Sequence, residues 1–272
     1  MDQQFTASQV EHAVGSAQVT YLGTGAFGET WRVRVSEEDA AYKIIYRDDA
    51  SLERLKREIE SYRRVTSPNV VRLDNALLLS IVDKRLPTLV FEYIDGGDLS
   101  QAITKKTANS DELQELARGL LNGILALHSA ELLHRDLKPA NIALRGGDYT
   151  RPVILDLGLA KLMDVESITR YPQRVGTPMY MAPEQLRGER ALKASDLWAV
   201  GVILYEAATG QHPFVTPNET ITWDEFFERL KRDISIPSHV PDVITDLITR
   251  SLSEQAYKRG TVAKAIDRLK GR

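Results

Sequence analysis

The chain contains no cysteine, so disulfides, thiolate-bound zinc and a cysteine nucleophile are all excluded, and packing alone must hold the fold. It has no excess of either charge: 35 Lys and Arg stand against 38 Asp and Glu, a formal net charge of −3, which excludes a polycationic nucleic-acid binder. It also lacks any run approaching the roughly 18 apolar residues that a membrane-crossing helix needs. Residues Met1 to Val19 have neither a basic start nor a continuous apolar stretch, so they do not read as a secretory leader. These absences lead us to expect no membrane segment and no nucleic-acid partner, in a reducing, cytoplasmic compartment. No internal repeat or low-complexity tract interrupts the 272 residues, and a hydrophobic fraction of 43% is enough for a real core.

The texture changes once. Up to about residue 95, short β-rich runs dominate: Val19 to Leu22, Thr30 to Val35, Ala41 to Tyr46, Ala76 to Val82 and Thr88 to Tyr93. One amphipathic helix over Ser51 to Val65 interrupts them, with Leu52, Leu55, Ile59 and Tyr62 at spacings of three or four. Its Arg54, Lys56, Arg57, Arg63 and Arg64 read as the solvated face. Beyond Gly96-Gly97, the expected hinge, the pattern turns helical. Asp111 to Ser129 is too apolar for a surface helix and is predicted to cross the core. Val153 to Leu155 reads as a short strand. Leu197 to Ala208 reads as a buried helix, and Thr222 to Arg232, Asp242 to Ser251 and Val262 to Leu269 as further helices. The fold class is therefore α+β: a small β-rich lobe over residues 1–94, a hinge end at 95–98 and a larger α-helical lobe over 99–272, all one domain.

Leu22-Gly23-Thr24-Gly25-Ala26-Phe27-Gly28 lies between two predicted strands, where glycines let backbone N–H groups approach phosphate oxygens that a Cβ would keep away. Taken alone, the glycine spacing fits a plain hairpin equally well. Lys43 on the next strand changes the balance, because a buried ammonium needs a partner, and Glu58 on the following helix can face that strand. His134-Arg135-Asp136-Leu137-Lys138-Pro139-Ala140-Asn141 follows the core helix directly. Asp136 can accept a proton from a hydroxyl, Lys138 can neutralise a transferred phosphoryl group, and Asn141 offers an oxygen to a hard cation. Asp156 ends the strand Val153 to Leu155, and with Asn141 it can hold Mg²⁺. These are the parts that phosphoryl transfer requires.

The ordered set Gly23-x-Gly25-x-x-Gly28, Lys43, Glu58, His134-Arg135-Asp136-x-x-x-x-Asn141, Asp156-Leu157-Gly158 and Ala182-Pro183-Glu184 resembles the eukaryotic-type (Hanks-type) serine/threonine protein kinases. The resemblance runs from about residue 20 to residue 260 and implies the bilobal kinase fold. It also implies roles: Lys43 on the α- and β-phosphates, paired with Glu58; Asp136 as catalytic base; Asn141 and Asp156 on Mg²⁺, with Mn²⁺ as a substitute ion. Leu22, Gly23, Gly25, Phe27, Gly28, Thr30, Ala41 and Ala143 would surround ATP. Phe91 would be the gatekeeper, Glu92 and Tyr93 the adenine-binding hinge, and Asp98 would reach the ribose. Glu58 is preferred over Glu53 and Glu60 because Ser67-Pro68-Asn69-Val70 resembles the loop that follows this helix in the family. Asp196 would anchor the catalytic loop, and Glu184 would pair with Arg259.

Lys138 and the segment from Gly176 to Glu184 resemble the serine/threonine branch, with Thr177 bonded to Asp136 and Lys138. Arg135 beside the base implies control by phosphorylation of the activation loop between Asp156 and Glu184. Ser167, Thr169 and Tyr171 are the candidate hydroxyls there, although Gln173 occupies the family's commonest phosphosite. Thr30 and Ala143 are smaller or more polar than the usual residues, which implies a looser grip on adenine. His12, His128, His212 and His239 have no ligand spacing and read as structural or solvated. Two rivals stand beside this reading. A pseudokinase scaffold is opposed by the presence of Lys43, Asp136, Asn141 and Asp156, and a small-molecule kinase by the intact Thr177 to Glu184 segment. The expected partners are ATP, protein substrates bearing Ser or Thr, and transiently a second copy for autophosphorylation. The absence of cysteine and the short loops suit a bacterial member.

Overall fold

A computed structural model describes residues 3–16, 18–25, 27–46, 52–157, 177–216 and 219–271, of which 52–54 and Thr177 are described in backbone only. The chain divides into two compact units, residues 1–66 with 71–93 and residues 67–70 with 94–272.

The first unit is built on a five-stranded antiparallel sheet of order β1-β2-β3-β5-β4, comprising β1 (Val19–Thr24), β2 (Gly28–Val35), β3 (Glu38–Ile45), β4 (Leu73–Ile81) and β5 (Lys84–Glu92). Its two-residue alternation sorts side chains cleanly. Glu29, Trp31 and Val33 point to one face, where Ile44 of β3 lies opposite Glu29 in register. That face is covered by helix α1 (Ala7–Val14), which the sequence reading did not expect. Phe5, Val10, Trp31, Val33, Ile44, Leu79 and Ile81 form one buried cluster there. Thr30, Ala41 and Lys43 have the opposite parity and share the other face, with Thr30 and Lys43 paired across the strands.

β5 starts at Lys84, upstream of the expected Thr88, and so contains Pro87. β3 pairs with β5 only from Thr88 onward, so the missing Pro87 N–H removes no ladder bond on that side. Helix α2 (Leu52–Arg63) buries Leu55, Glu58 and Tyr62 at spacings of three and four.

The second unit contains α3 (Leu99–Lys105), α4 (Ser110–Ser129), α5 (Pro183–Leu186), α6 (Lys193–Thr209), α7 (Trp223–Leu230), α8 (Asp242–Ser251), α9 (Ala256–Arg259) and α10 (Val262–Leu269), with the short hairpin β6 (Ile142–Leu144) and β7 (Pro152–Ile154). An asparagine capping box at Asn109 and Glu112 starts α4, and Leu113, Leu116, Leu120, Ile124 and Leu127 lie at its core. The loop after α2 belongs to this unit: the Asn69 carbonyl accepts from Ile154 N–H at 2.8 Å, and Asn69 Nδ2 donates to the Pro152 carbonyl at 2.9 Å.

That docking dictates a glycine on α4. A Cβ on Gly123 would stand 2.8 Å from the Asn69 carbonyl oxygen and 2.7 Å from Ile154 Cδ1. Gly123→Val should therefore destabilise the protein by about 1–3 kcal/mol through overpacking. A lower urea midpoint at unchanged slope is the expected reading, and an unchanged midpoint would show that the loop yields freely.

Candidate active site

In the first unit, β1 and β2 close on the glycine turn through the pair Thr24 and Glu29, and Gly25 N–H donates to the Gly28 carbonyl at 2.8 Å. A Cβ on Gly28 would fall 1.9 Å from the Ile44 carbonyl oxygen, so only glycine lets β2 lie this close to β3. Leu22 sits at the bulge of β1 and is exposed, and Gly23 takes a φ of 156° beside it. The Phe27 carbonyl accepts from Tyr46 N–H at 3.2 Å. On β5, Leu89 lies opposite Lys43 and Phe91 opposite Ala41, which brings the gatekeeper candidate onto the face that carries the lysine. Phe91 is buried edge-on against Tyr62 at 5.0 Å. Glu92 accepts from Arg72 N–H at 2.9 Å, and the Arg32 guanidinium lies 4.8 Å above the Tyr93 ring.

Glu58 is 5% exposed and so is not a solvated helix glutamate. Glu60, by contrast, is exposed and pairs with Arg64 at 3.4 Å. The Glu53 side chain lies outside the described residues.

In the second unit the loop after α4 is held by one buried carboxylate. Asp196, at the start of α6, accepts His134 N–H at 3.2 Å, Arg135 N–H at 3.0 Å and His128 Nε2 at 2.8 Å. Arg135 takes a φ of 68°, a left-handed conformation sparsely used by such residues. It is fixed there from both ends, because Gln185 Nε2 donates to its carbonyl at 3.1 Å. The strain sits immediately before Asp136, as strain at functional sites commonly does. Neither His128 nor Gln185 carried a sequence signal for this task beyond its place near the motif.

Asp136, Lys138 and Asn141 converge on one oxygen. Lys138 Nζ lies 2.9 Å from Asp136 Oδ2, and Asn141 Nδ2 donates to the same oxygen at 3.1 Å and to the Asp136 carbonyl at 2.8 Å. Asn141 thus spends its amide nitrogen on Asp136, which turns its Oδ1 toward other partners. Its backbone carbonyl accepts Leu155 N–H at 2.8 Å and ties the loop to the residues before Asp156. Asp156 has a φ of 52°, and His134 Nε2 donates to the Leu155 carbonyl at 2.9 Å. A carboxylate and an amide oxygen form the donor set a magnesium ion accepts, with phosphate and water oxygens completing the shell. Among the described residues no group of three or more His, Asp or Glu could hold a metal unaided.

Asp98 is engaged at a helix start. It caps α3, with Oδ1 accepting Ser100 Oγ at 2.6 Å and Gln101 N–H at 2.9 Å, and Oδ2 accepting Gln101 Nε2 at 2.8 Å. A ribose hydroxyl would have to share those oxygens. Ala143 is buried in β6, bridged to Asp98. Thr177 opens a short 3-10 turn to Tyr180. Its side-chain bonds, Gly158, Gly176 and the candidate phosphosites Ser167, Thr169 and Tyr171 lie outside the described residues.

The substrate-side segment is braced by buried polar contacts. Tyr180 Oη donates to Glu206 at 2.7 Å, and burial pushes the Glu206 carboxyl up. That contact gives Glu206 a helix-bracing task. Burial pushes His212 down to about 4 against its bond to the Met179 carbonyl, so it is neutral at pH 7. Arg259 grips Glu184 bidentately at 2.7 and 2.9 Å, and Ser195 Oγ donates to Glu184 at 2.6 Å. Burial alone would raise the Glu184 carboxyl; these bonds outweigh it and hold the group below the usual carboxylate range.

Comparison with known proteins identifies the family. The protein kinase domain family matches residues 17–269, and the chain belongs to that family. It is 33% identical over 262 residues to serine/threonine-protein kinase PkaA of Streptomyces coelicolor, covering 88% of this chain and 46% of that protein. It is 34% identical over 230 residues to serine/threonine-protein kinase SRK2I of Arabidopsis thaliana, covering 82% of this chain and 60% of that one. The chain thus spans about half the length of these curated relatives. Among solved structures, Rad53 residues 1–466 in complex with AMP-PNP superposes with a TM-score of 0.73 at 27% identity, covering 92% of this chain and 63% of that one. Among the described residues no helix is long and apolar enough to cross a membrane.

Proposed function

We propose that the chain transfers the γ-phosphoryl group of ATP to serine or threonine hydroxyls of proteins, its own copies included. The observation that carries this reading is the convergence of Lys138 and Asn141 on a single oxygen of Asp136. That contact leaves the other carboxylate oxygen to receive the proton of an attacking hydroxyl, while the ammonium two residues on stays beside the developing charge. Asn141 and Asp156 would hold Mg²⁺, which when bound neutralises phosphate charge and orients the transferred group. Lys43 binds phosphate oxygens, and the backbone N–H groups between Gly23 and Gly28 cradle the triphosphate. The names of the relatives from Streptomyces and Arabidopsis support serine and threonine as acceptors, and the AMP-PNP bound to Rad53 supports ATP as donor.

Mass spectrometry of the purified protein before and after ATP with Mg²⁺ tests the reading. Phosphoryl additions on Ser or Thr, of this chain or of a generic protein acceptor, are expected. No addition to either at high protein concentration would favour a non-catalytic scaffold, and additions confined to tyrosine would overturn the acceptor class.

A further inference from the structure

Glu29 lies wholly buried on β2, immediately after the last glycine of the turn. No cation pairs with it among the described residues. Its carboxylate is instead satisfied by three N–H donors: Gln4 N to Oε2 at 2.9 Å, Phe5 N to Oε1 at 3.2 Å, and Trp31 Nε1 to Oε1 at 2.9 Å. Two of the donors belong to the segment that leads into α1. Phe5 and Val10 are buried beside it, and the Phe5 ring packs edge-on against Tyr46 at 5.7 Å. Thr6 and Gln9 close a capping box that fixes where the helix begins.

An apolar side chain would fill this place without desolvating a charge, so the carboxylate is costly unless its three donors stay put. Glu29 is also in the last β1–β2 pair before the turn, opposite Thr24, and neighbours Gly28 along the chain. A shift of residues 4 and 5 would therefore pull on the strand end that leads out of the glycine turn. We propose that Glu29 is a positioning residue for ATP: it couples docking of the N-terminal segment to the set of the glycine turn, and so to the grip on the nucleotide. This rests on the kinase reading above.

Two substitutions in the full chain test it. Glu29→Gln keeps the volume but turns one NH₂ toward a donor, and Gln4→Pro deletes one donor while leaving Glu29 and the buried apolar cluster intact. With both variants assayed well below their melting temperatures, KM for ATP should rise about tenfold in Glu29→Gln and by a smaller factor in Gln4→Pro. Meanwhile kcat and KM for an acceptor peptide should stay within about twofold. Hydrogen exchange of the 22–30 amides in the nucleotide-free protein should quicken in both. Unchanged exchange over 22–30 overturns the proposal even if the wild type transfers nothing, which would count against the kinase reading alone. Quicker exchange with an unaltered KM for ATP also overturns it, since a merely structural role moves stability without affecting the nucleotide.

Discussion

Asp136→Asn should leave a folded protein that binds ATP as before and transfers phosphoryl groups about 10²–10⁴-fold more slowly, the range that a positioned general base contributes. The substitution is close to isosteric, and an asparagine oxygen can still accept from Lys138 and Asn141, whose contacts with Asp136 Oδ2 are 2.9 and 3.1 Å. Only the group that takes a proton is removed. The ion pair that is lost has side-chain exposures of only 21% and 20%, but the asparagine oxygen keeps the hydrogen bonds, so the change should cost about 1 kcal/mol. The melting temperature should therefore fall by no more than about 4 °C. Binding of AMP-PNP by calorimetry, set beside turnover, separates the outcomes: equal loss of both would mean that Asp136 shapes the loop rather than taking the proton, and full turnover would remove it from the chemistry.

The sheet and the long helices were legible because periodicity reports burial directly. Asp242–Ser251 and Val262–Leu269 were read to the residue, and the five strands of the first unit differ from expectation mainly at their ends. Helix α1 escaped because its eight residues carry little beyond Val10 and Val14 as an apolar stripe, too few for a periodic signal. The signal that was available lay at its start, in Thr6 and Gln9 at capping-box spacing behind the apolar Phe5. β6 escaped for a plainer reason, since three residues show no period at all.

Among site residues, Asp136, Lys138 and Asn141 were named from sequence because phosphoryl transfer needs those groups close together. The geometry then added what chemistry alone does not require: that Asn141 turns its nitrogen to Asp136, and that Asp98 is engaged at a helix start. Glu29 was invisible as a buried carboxylate. An acidic residue on a strand reads as a solvent-facing one unless the covering element is known, and that element was the helix the sequence hid.

Arg259→Met should be the most destabilising single change in the second unit. Glu184 would keep Ser195 as a donor but lose the bidentate guanidinium, leaving a buried carboxylate without a counter-charge at a cost of about 3–5 kcal/mol. Arg259 also donates to the carbonyls of Ser253, Ala194 and Glu254 and stands 5.1 Å from the Trp198 ring, so α5, α6 and the segment before α9 all lose a common tie. Adding Glu184→Gln should recover part of the loss, because the stranded charge goes with it; a double variant as weak as the sum of the singles would place the damage in those carbonyl bonds instead. The pH dependence gives an independent check. In the wild type Glu184 titrates below its unfolded value, so its contribution is present above about pH 4.5 and is lost as pH falls through the lower folded value. In Arg259→Met burial is opposed only by the bonds from Ser195 and from the residue's own backbone N–H, the carboxyl is pushed up, and protonation relieves the strain. The stability gap between the two proteins should therefore narrow on going from pH 7.5 to pH 5, and a gap that widens would mean that Glu184 is not the charge left stranded.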